Sequence, residues 1–373
     1  MLYYIIAGEV SGDLHASNLI REIKLLDSEA QFRCWGGDLM EAQGGEIVKH
    51  YKDLAFMGFM AVIANLRTIL KNIDFCKKDI EKTKPDVVIL IDYPGFNLRI
   101  AEYVKSIGIK VLYYISPQVW AWKQSRVKKI RRDVDKMFVI LPFEKDFYEK
   151  HNYQVDFVGH PLLDAIETFE NIEDSDFYKK NNLSEQPIIA LLPGSRKQEI
   201  EKMLPIMLSV VEEFKNYQFV IAGVNHLSDL YKDYLQNSSI KVVYDQTYHL
   251  LKNTKAALVT SGTATLETAL FQVPEVVCYK AGSFSYYIAR KIVDVKFISL
   301  VNLIMDKEIV TELLQNQLTK KNLVSELKSL LENTERKLQI ANDYKDLKIK
   351  LGGFGASKKT ATLMLNYIKN VSD

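Results

Sequence analysis

The feature that most constrains this chain is a recurring phrase: a strand-length run rich in Val, Ile and Tyr, a polar turn carrying Gly, Ser or Asp, then an amphipathic stretch. The apolar runs are residues 2–7, 87–91, 110–115 and 137–140, followed later by 188–192, 219–222, 240–243, 256–259 and 276–278. Helical periodicity fills intervening stretches such as 15–26, 98–107, 200–214 and 264–271. Strands alternating with helices at this spacing imply parallel βαβ units with covered sheets, so the class is α/β. At 373 residues the chain exceeds what one hydrophobic core usually supports, which predicts two domains. The polar, acidic stretch Glu167 to Gln186 lies between the two groups of strands, where a linker belongs. The expected division is a first domain over residues 1–165, a linker over 166–186, a second domain over 187–345 and a helical segment over 346–373 that packs back on one of them. Two similar domains facing across a cleft is the expected architecture.

Composition narrows the function classes. Lys plus Arg number 49 against 47 Asp plus Glu, so the chain is no polycationic nucleic-acid binder. Cys34, Cys76 and Cys278 are widely spaced with no C-x-x-C pair, which argues against a disulfide framework or a cysteine zinc site and fits a reducing cytosol. The start runs straight from a short apolar stretch into Gly8-Glu9 and has no basic leader, so it does not read as a signal peptide. The longest uncharged apolar run is Leu54 to Ala64, well below the roughly 18 residues of a membrane-spanning helix.

In open parallel sheets, ligands bind beyond the carboxyl ends of strands, where helix N-termini present free N–H groups. Four loops there stand out: Gly8-Glu9-Val10-Ser11-Gly12-Asp13, Asp92-Tyr93-Pro94-Gly95-Phe96-Asn97, Pro193-Gly194-Ser195-Arg196 and Ser261-Gly262-Thr263. The first has neither G-x-G-x-x-G spacing nor a Walker lysine, which speaks against a dehydrogenase or a P-loop nucleotidase; read alone, it is a tight turn with Ser11 or Asp13 capping a helix. Asp92 follows a wholly apolar run, where a carboxylate is partly desolvated and suits a general base; an Asx turn or helix cap is the other reading. Ser195 and Arg196 bring a hydroxyl and a forked guanidinium to a helix start, suited to a diphosphate. Ser261, Gly262 and Thr263 repeat the device in the same half, and Glu267 one turn later could accept bonds from ribose hydroxyls. Both loops also read as ordinary helix caps, but two in one half favour a nucleotide diphosphate.

Metal candidates are thin. The six histidines show no i, i+4 pair. Asp133-Val134-Asp135 and Asp174-Ser175-Asp176 match the D-x-D pattern of some sugar-nucleotide enzymes, but one adjoins basic residues and the other the linker, so both read as solvated surface. His160, after a strand end, is either a cleft residue or a turn histidine. Gly-x-Ser-x-Gly is absent, so no serine triad is legible. Two further stretches point to membranes: the run from Leu54 to Ala64, with Met57, Phe59 and Met60, is a buried helix or an interfacial insertion, and residues 123–132 pack six cations into ten positions, among them Lys128 and Arg131. A solvated basic helix face is the plainer account of the second.

Taken together these loops resemble the lipid-A-disaccharide synthases. The likeness is carried, in family order, by Gly8 to Asp13, Met57-Gly58-Phe59, Asp92 to Asn97, Ser116-Pro117-Gln118-Val119-Trp120-Ala121-Trp122, Leu141-Pro142-Phe143-Glu144, Gly159-His160-Pro161-Leu162, Leu192 to Arg196, Ser261 to Glu267 and Gly355-Ala356-Ser357. The resemblance implies a GT-B fold: two Rossmann-like domains, with the sugar nucleotide held mainly by the C-terminal one. It also implies the reaction, in which UDP-2,3-diacylglucosamine gives its sugar to the 6-hydroxyl of 2,3-diacylglucosamine 1-phosphate (lipid X), inverting the anomeric carbon to a β-1,6 disaccharide and releasing UDP. No cofactor and no metal are implied, nor any nucleic-acid partner. A homodimer is compatible with it. The expected location is the cytoplasmic face of the inner membrane of a Gram-negative-type cell, at its anionic surface.

On this reading Asp92 is the base. Arg196, Ser195, Ser261, Gly262, Thr263, Glu267 and Asn302 bind the nucleotide, and Glu9, Ser11, Asp13 and His160 line the acceptor side. Met57, Phe59, Met60, Lys128 and Arg131 meet the membrane and acyl chains. Two departures stand out: Val301 replaces a usual Pro, and Asp306 stands where a small Gly is usual, so the backbone there is expected to differ. Other readings are a UDP-N-acetylglucosamine 2-epimerase-like enzyme, against which the membrane features speak, and a non-catalytic sugar-nucleotide-binding protein, in which a buried base would be superfluous.

Overall fold

A computed structural model describes residues 1–54, 66–122, 124–170, 176–235, 239–280 and 296–370. Among them thirteen strands pair, all in parallel, into two sheets. The first has the order β3-β2-β1-β4-β5-β6-β7, with β1 Leu2–Ala7, β2 Gln31–Gly36, β3 Glu46–His50, β4 Val87–Ile91, β5 Lys110–Tyr114, β6 Lys136–Val139 and β7 Asp156–Phe157. The second runs β10-β9-β8-β11-β12-β13, with β8 Ile188–Leu192, β9 Gln218–Gly223, β10 Lys241–Tyr244, β11 Thr254–Thr260, β12 Glu275–Tyr279 and β13 Thr311–Leu314. The architecture is the α/β, GT-B-type one, each sheet belonging to its own compact unit.

Unit 1 comprises Met1–Asp164 and Leu351–Asp373, and unit 2 comprises Ala165–Lys350. The central strands β1 and β4 are buried on both faces, which is why they read as continuous apolar runs rather than alternating ones. One face packs Trp35, Ile73, Ile80, Val104 and Ile130, and the other Leu19, Ile20 and Ile23 of the first helix, Val10–Leu26. The last helix, Ala356–Asn370, completes that second face with Ala361, Met364, Leu365 and Ile368, so the C-terminal segment belongs to unit 1. Asp164 fastens it by accepting the N–H groups of Gly355 at 2.6 Å and Ser357 at 3.2 Å.

The acidic stretch expected to link the domains carries more structure than its composition suggests. The helix Leu162–Glu170 crosses the point of division, and Phe169 stacks edge-on to Tyr248, His249 and Phe271 of unit 2. Phe177 is buried in that unit's core beside Ile188 and Val220. Isolated aromatic anchors do this work among polar neighbours, and periodicity cannot register them.

Candidate active site

In a doubly wound sheet the crevice opens where neighbouring strands send their connections to opposite faces. Those switch points fall between β1 and β4 in unit 1 and between β8 and β11 in unit 2. β1 and β4 end flush, Ala7 beside Ile91, and β11 runs one residue beyond the pair Leu192 and Val259. The four loops singled out by composition are the loops at these two points.

In unit 1, Asp92 and Tyr93 leave β4 at φ +42° and +48°, an uncommon left-handed conformation for two consecutive non-glycine residues. The surroundings hold it. Asp92 N–H donates to Tyr114 O at 3.2 Å, while its carbonyl accepts from the Asn97 amide at 2.7 Å and from the Tyr113 hydroxyl. The Tyr93 ring lies across Gly8, where a Cβ would sit 2.4 Å from it, so only glycine fits. This brings Glu9 close to Asp92. Burial, reinforced by the Glu9 charge and opposed by the Tyr93 N–H, raises the half-buried Asp92 carboxyl to about 6. Such a group is ionised at neutral pH and more basic than an ordinary aspartate.

The other acceptor-side candidates separate. Ser11 is exposed on the first turn of the first helix. Asp13 is 2% exposed, and its carboxylate accepts the N–H groups of Gly37 (2.8 Å), Leu39 (3.1 Å) and Met40 (3.2 Å), capping the short helix Asp38–Ala42. It is committed to the fold. His160 is also buried: its N–H donates to Leu351 O at 3.0 Å and its Nδ1 accepts from Leu162 N–H at 3.3 Å. Burial, with His15 nearby, lowers it to about 3, so it stays neutral and ties the C-terminal segment down. Lys128 and Arg131 stand exposed on the helix Val127–Asp133. Met57, Phe59 and Met60 lie outside the described residues.

In unit 2 a cavity of about 370 Å³ opens at the switch point, lined among others by Ser195, Arg196, Gly223, Gly262, Thr263 and Glu267. Arg196 ends the loop as N-cap of the helix Lys197–Leu208, and Gly262 precedes the helix Thr263–Leu270. Glu267 accepts a hydrogen bond from Tyr248 at 3.1 Å, and burial raises its carboxyl above the usual range. Thr260 also lines the cavity, 7% exposed, its hydroxyl without a partner among the described residues. Ser261 instead donates its hydroxyl to Ile298 O at 3.1 Å.

Two expectations are corrected here. Asn302 does not face the cavity: it is fully buried, its amide oxygen taking the N–H groups of Ile309 (2.8 Å) and Val310 (3.1 Å) and its nitrogen donating to Val310 O (2.8 Å) and Glu312 (2.9 Å). Its hydrogen-bonding capacity is spent inside unit 2. Asp306, expected to alter the backbone, takes the left-handed conformation at φ +50° that a glycine would supply.

Sequence reasoning overlooked Tyr93, Thr260 and Tyr248, and also Glu199, whose only signal was its capping-box spacing after Arg196. Glu199 takes the N–H groups of Ser195 at 3.2 Å and Arg196 at 3.3 Å on one oxygen and the Arg196 guanidinium at 3.2 Å on the other. The backbone N–H groups of Ser195 and Arg196 are therefore engaged internally, and the Arg196 side chain is the cation that this loop brings to the cavity. A further cavity of about 420 Å³ near Lys307 and Arg336 has its cations paired, with Asp343 and Glu326. Among the described residues no three His, Cys, Asp or Glu side chains gather as a metal site, and no helix is long and apolar enough to cross a membrane. Asp133, read as solvated, is 3% exposed and held by Arg132.

Residues 3–367 match the family model described as lipid-A-disaccharide synthetase. A lipid-A-disaccharide synthase of Syntrophus aciditrophicus is 38% identical over 377 residues, covering 99% of this chain and 98% of its own. One from Coxiella burnetii is 37% identical over 370 residues, covering 98% of each. Among solved structures, the UDP-GlcNAc 2-epimerase of Neisseria meningitidis bound to UDP-GlcNAc superposes with a TM-score of 0.69 over 98% of this chain and 100% of its own, at 14% identity. That likeness is one of fold.

Proposed function

The chain belongs to the lipid-A-disaccharide synthase family, whose members are glycosyltransferases of lipid A disaccharide synthesis, and from that premise we propose that it joins UDP-2,3-diacylglucosamine to lipid X through a β-1,6 bond. The observation that supports the mechanism is that each unit carries one half of the chemistry at its own switch point: a strained, desolvated carboxylate in unit 1, and in unit 2 a cavity lined by Arg196, Gly262, Thr263 and Glu267.

In this mechanism Asp92 accepts the proton of the acceptor 6-hydroxyl as its oxygen bonds to the anomeric carbon. The bond from that carbon to the diphosphate breaks on the opposite face, and UDP departs with the electron pair. The transition state is oxocarbenium-like. Arg196 and the N–H groups opening the helix Thr263–Leu270 neutralise the charge growing on the diphosphate, as preorganised dipoles do. Glu267, oriented by Tyr248, takes the ribose hydroxyls. A base near pH 6 suits the task, because it is ionised in neutral solution yet gains more on protonation than an exposed aspartate.

The acyl chains of both substrates call for work at a lipid surface, and the exposed Lys128 and Arg131 support attraction to anionic headgroups. Reversing both charges is expected to release the protein from anionic vesicles. The decisive assay incubates the protein with UDP-2,3-diacylglucosamine and lipid X without added metal and follows UDP and disaccharide. Absence of both products from folded protein overturns the assignment.

A further inference from the structure

We infer that Glu199 is a positioning residue for nucleotide binding, holding the Arg196 guanidinium in place for the diphosphate. The inference rests on the reading of unit 2 as the UDP site and deepens it. Arg196 is a long side chain, 60% exposed, on a loop tip. Left free, it would lose rotamer freedom on meeting a phosphate, and that loss comes out of affinity. Glu199 removes part of this cost in advance. Its Oε2 gathers the two loop N–H groups while its Oε1 holds Nη1 of the guanidinium, so backbone and side chain of Arg196 are fixed by one carboxylate. The other guanidinium nitrogens remain to face the cavity that both residues line.

The loop is shaped around this contact. Gly194 sits at φ +106°, and a Cβ there would come within 2.5 Å of Glu199 Oε2 and 2.7 Å of its Cβ. A side chain at 194 would expel the carboxylate. The arrangement also separates the two helix N-termini by role. The backbone donors of residues 195–196 are engaged by Glu199, so Gly262 and Thr263, at the start of the other helix, are placed to offer backbone amides to the diphosphate.

The test compares UDP with uridine, which lacks the phosphates, by calorimetry on the full chain. Glu199→Gln is expected to weaken UDP about five-fold, equivalent to about 1 kcal/mol, with uridine unchanged. In an Arg196→Ala background the same change is expected to have no further effect on UDP, because Glu199 then has nothing to hold. A residue that merely caps its helix would lower the melting temperature and leave the UDP-to-uridine ratio unaltered; that result overturns the inference. So does tighter UDP binding in Glu199→Gln, which would make the carboxylate a competitor of the diphosphate. Should wild-type protein bind neither ligand, the fault lies in the reading of the cavity itself.

Discussion

Replacing Asp92 by Asn is expected to cut turnover steeply and at the same time to stabilise unit 1. The carboxyl rises from the ordinary 3.8 to about 6, first because it is buried and then because Glu9 lies near. The unfolded chain sheds this proton near the ordinary value and the folded chain sheds it later. Wild-type stability therefore falls as pH climbs from about 4 to about 6 and is flat above that window. A rise of that size corresponds to about 3 kcal/mol, and partial exposure of the residue reduces this to about 1–3 kcal/mol. Asn removes the charge, keeps an oxygen for the Tyr93 N–H and tolerates a positive φ. The gain over wild type should be near zero below about pH 4 and complete above about pH 6. All three tryptophans, Trp35, Trp120 and Trp122, belong to unit 1, so their fluorescence in urea titrations at several pH values reports that unit. Loss of a general base should also lower turnover about 10²- to 10⁴-fold. An Asn variant that is less stable than wild type at pH 8, or whose stability difference does not vary with pH, refutes the desolvation argument. Near wild-type turnover refutes the assignment of the base.

Glu267→Ala is expected to weaken uridine and UDP alike, about ten-fold, whereas Arg196→Ala should weaken UDP alone; calorimetry with both ligands distinguishes ribose from phosphate recognition. Asp13→Ala strands three N–H groups that Asp13 now satisfies and should cost about 2–4 kcal/mol, seen as an earlier tryptophan unfolding transition; a loss below about 1 kcal/mol contradicts the capping role. Glu275 is fully buried, its two carboxyl oxygens without a hydrogen-bond partner among the described residues, and burial pushes its pKa well above the ordinary 4.5. Glu275→Leu should therefore stabilise unit 2 by about 1–3 kcal/mol at pH 8 and by less in acid, followed by circular dichroism; destabilisation at pH 8 would show a hidden partner.

What could be seen in the sequence, and what could not, follows from how residues are used. Strands β1, β4 and β8 and the centre of β11, residues 256–259, stood out because burial on both faces leaves only apolar residues, and the loops after them stood out because ligand-facing turns favour Gly, Ser and Asp. Strands β2, β3 and β13 were missed. Arg33 in β2 pairs with Asp79, Lys49 in β3 with Asp53, and Glu312 in β13 holds Asn302 and the 298–299 backbone, so charged side chains interrupt the apolar pattern. At the site, residue type pointed to Arg196 and Glu267, and both line the cavity of unit 2. It misled at Asp13 and Asn302, because a polar side chain beside a glycine turn has the same signature whether it serves a ligand or a backbone. Only the partners of each atom separate the two.

The connectivity of unit 1 carries a consequence for how the chain is made. The apolar layer that Val10–Leu26 forms on its sheet stays incomplete until residues 356–370 exist to pack beside it, whereas every residue of unit 2 lies in one uninterrupted stretch between them. On the ribosome, unit 2 has all its sequence before unit 1 does, even though unit 1 begins first. The N-terminal sheet must wait with the apolar surface that Ala361, Met364, Leu365 and Ile368 later cover still open, so a fragment ending near residue 350 should contain a folded unit 2 tethered to a sticky, incomplete partner. Adding a peptide of residues 351–370 to that fragment should restore its solubility, making the final helix a separable key to the half that carries Asp92.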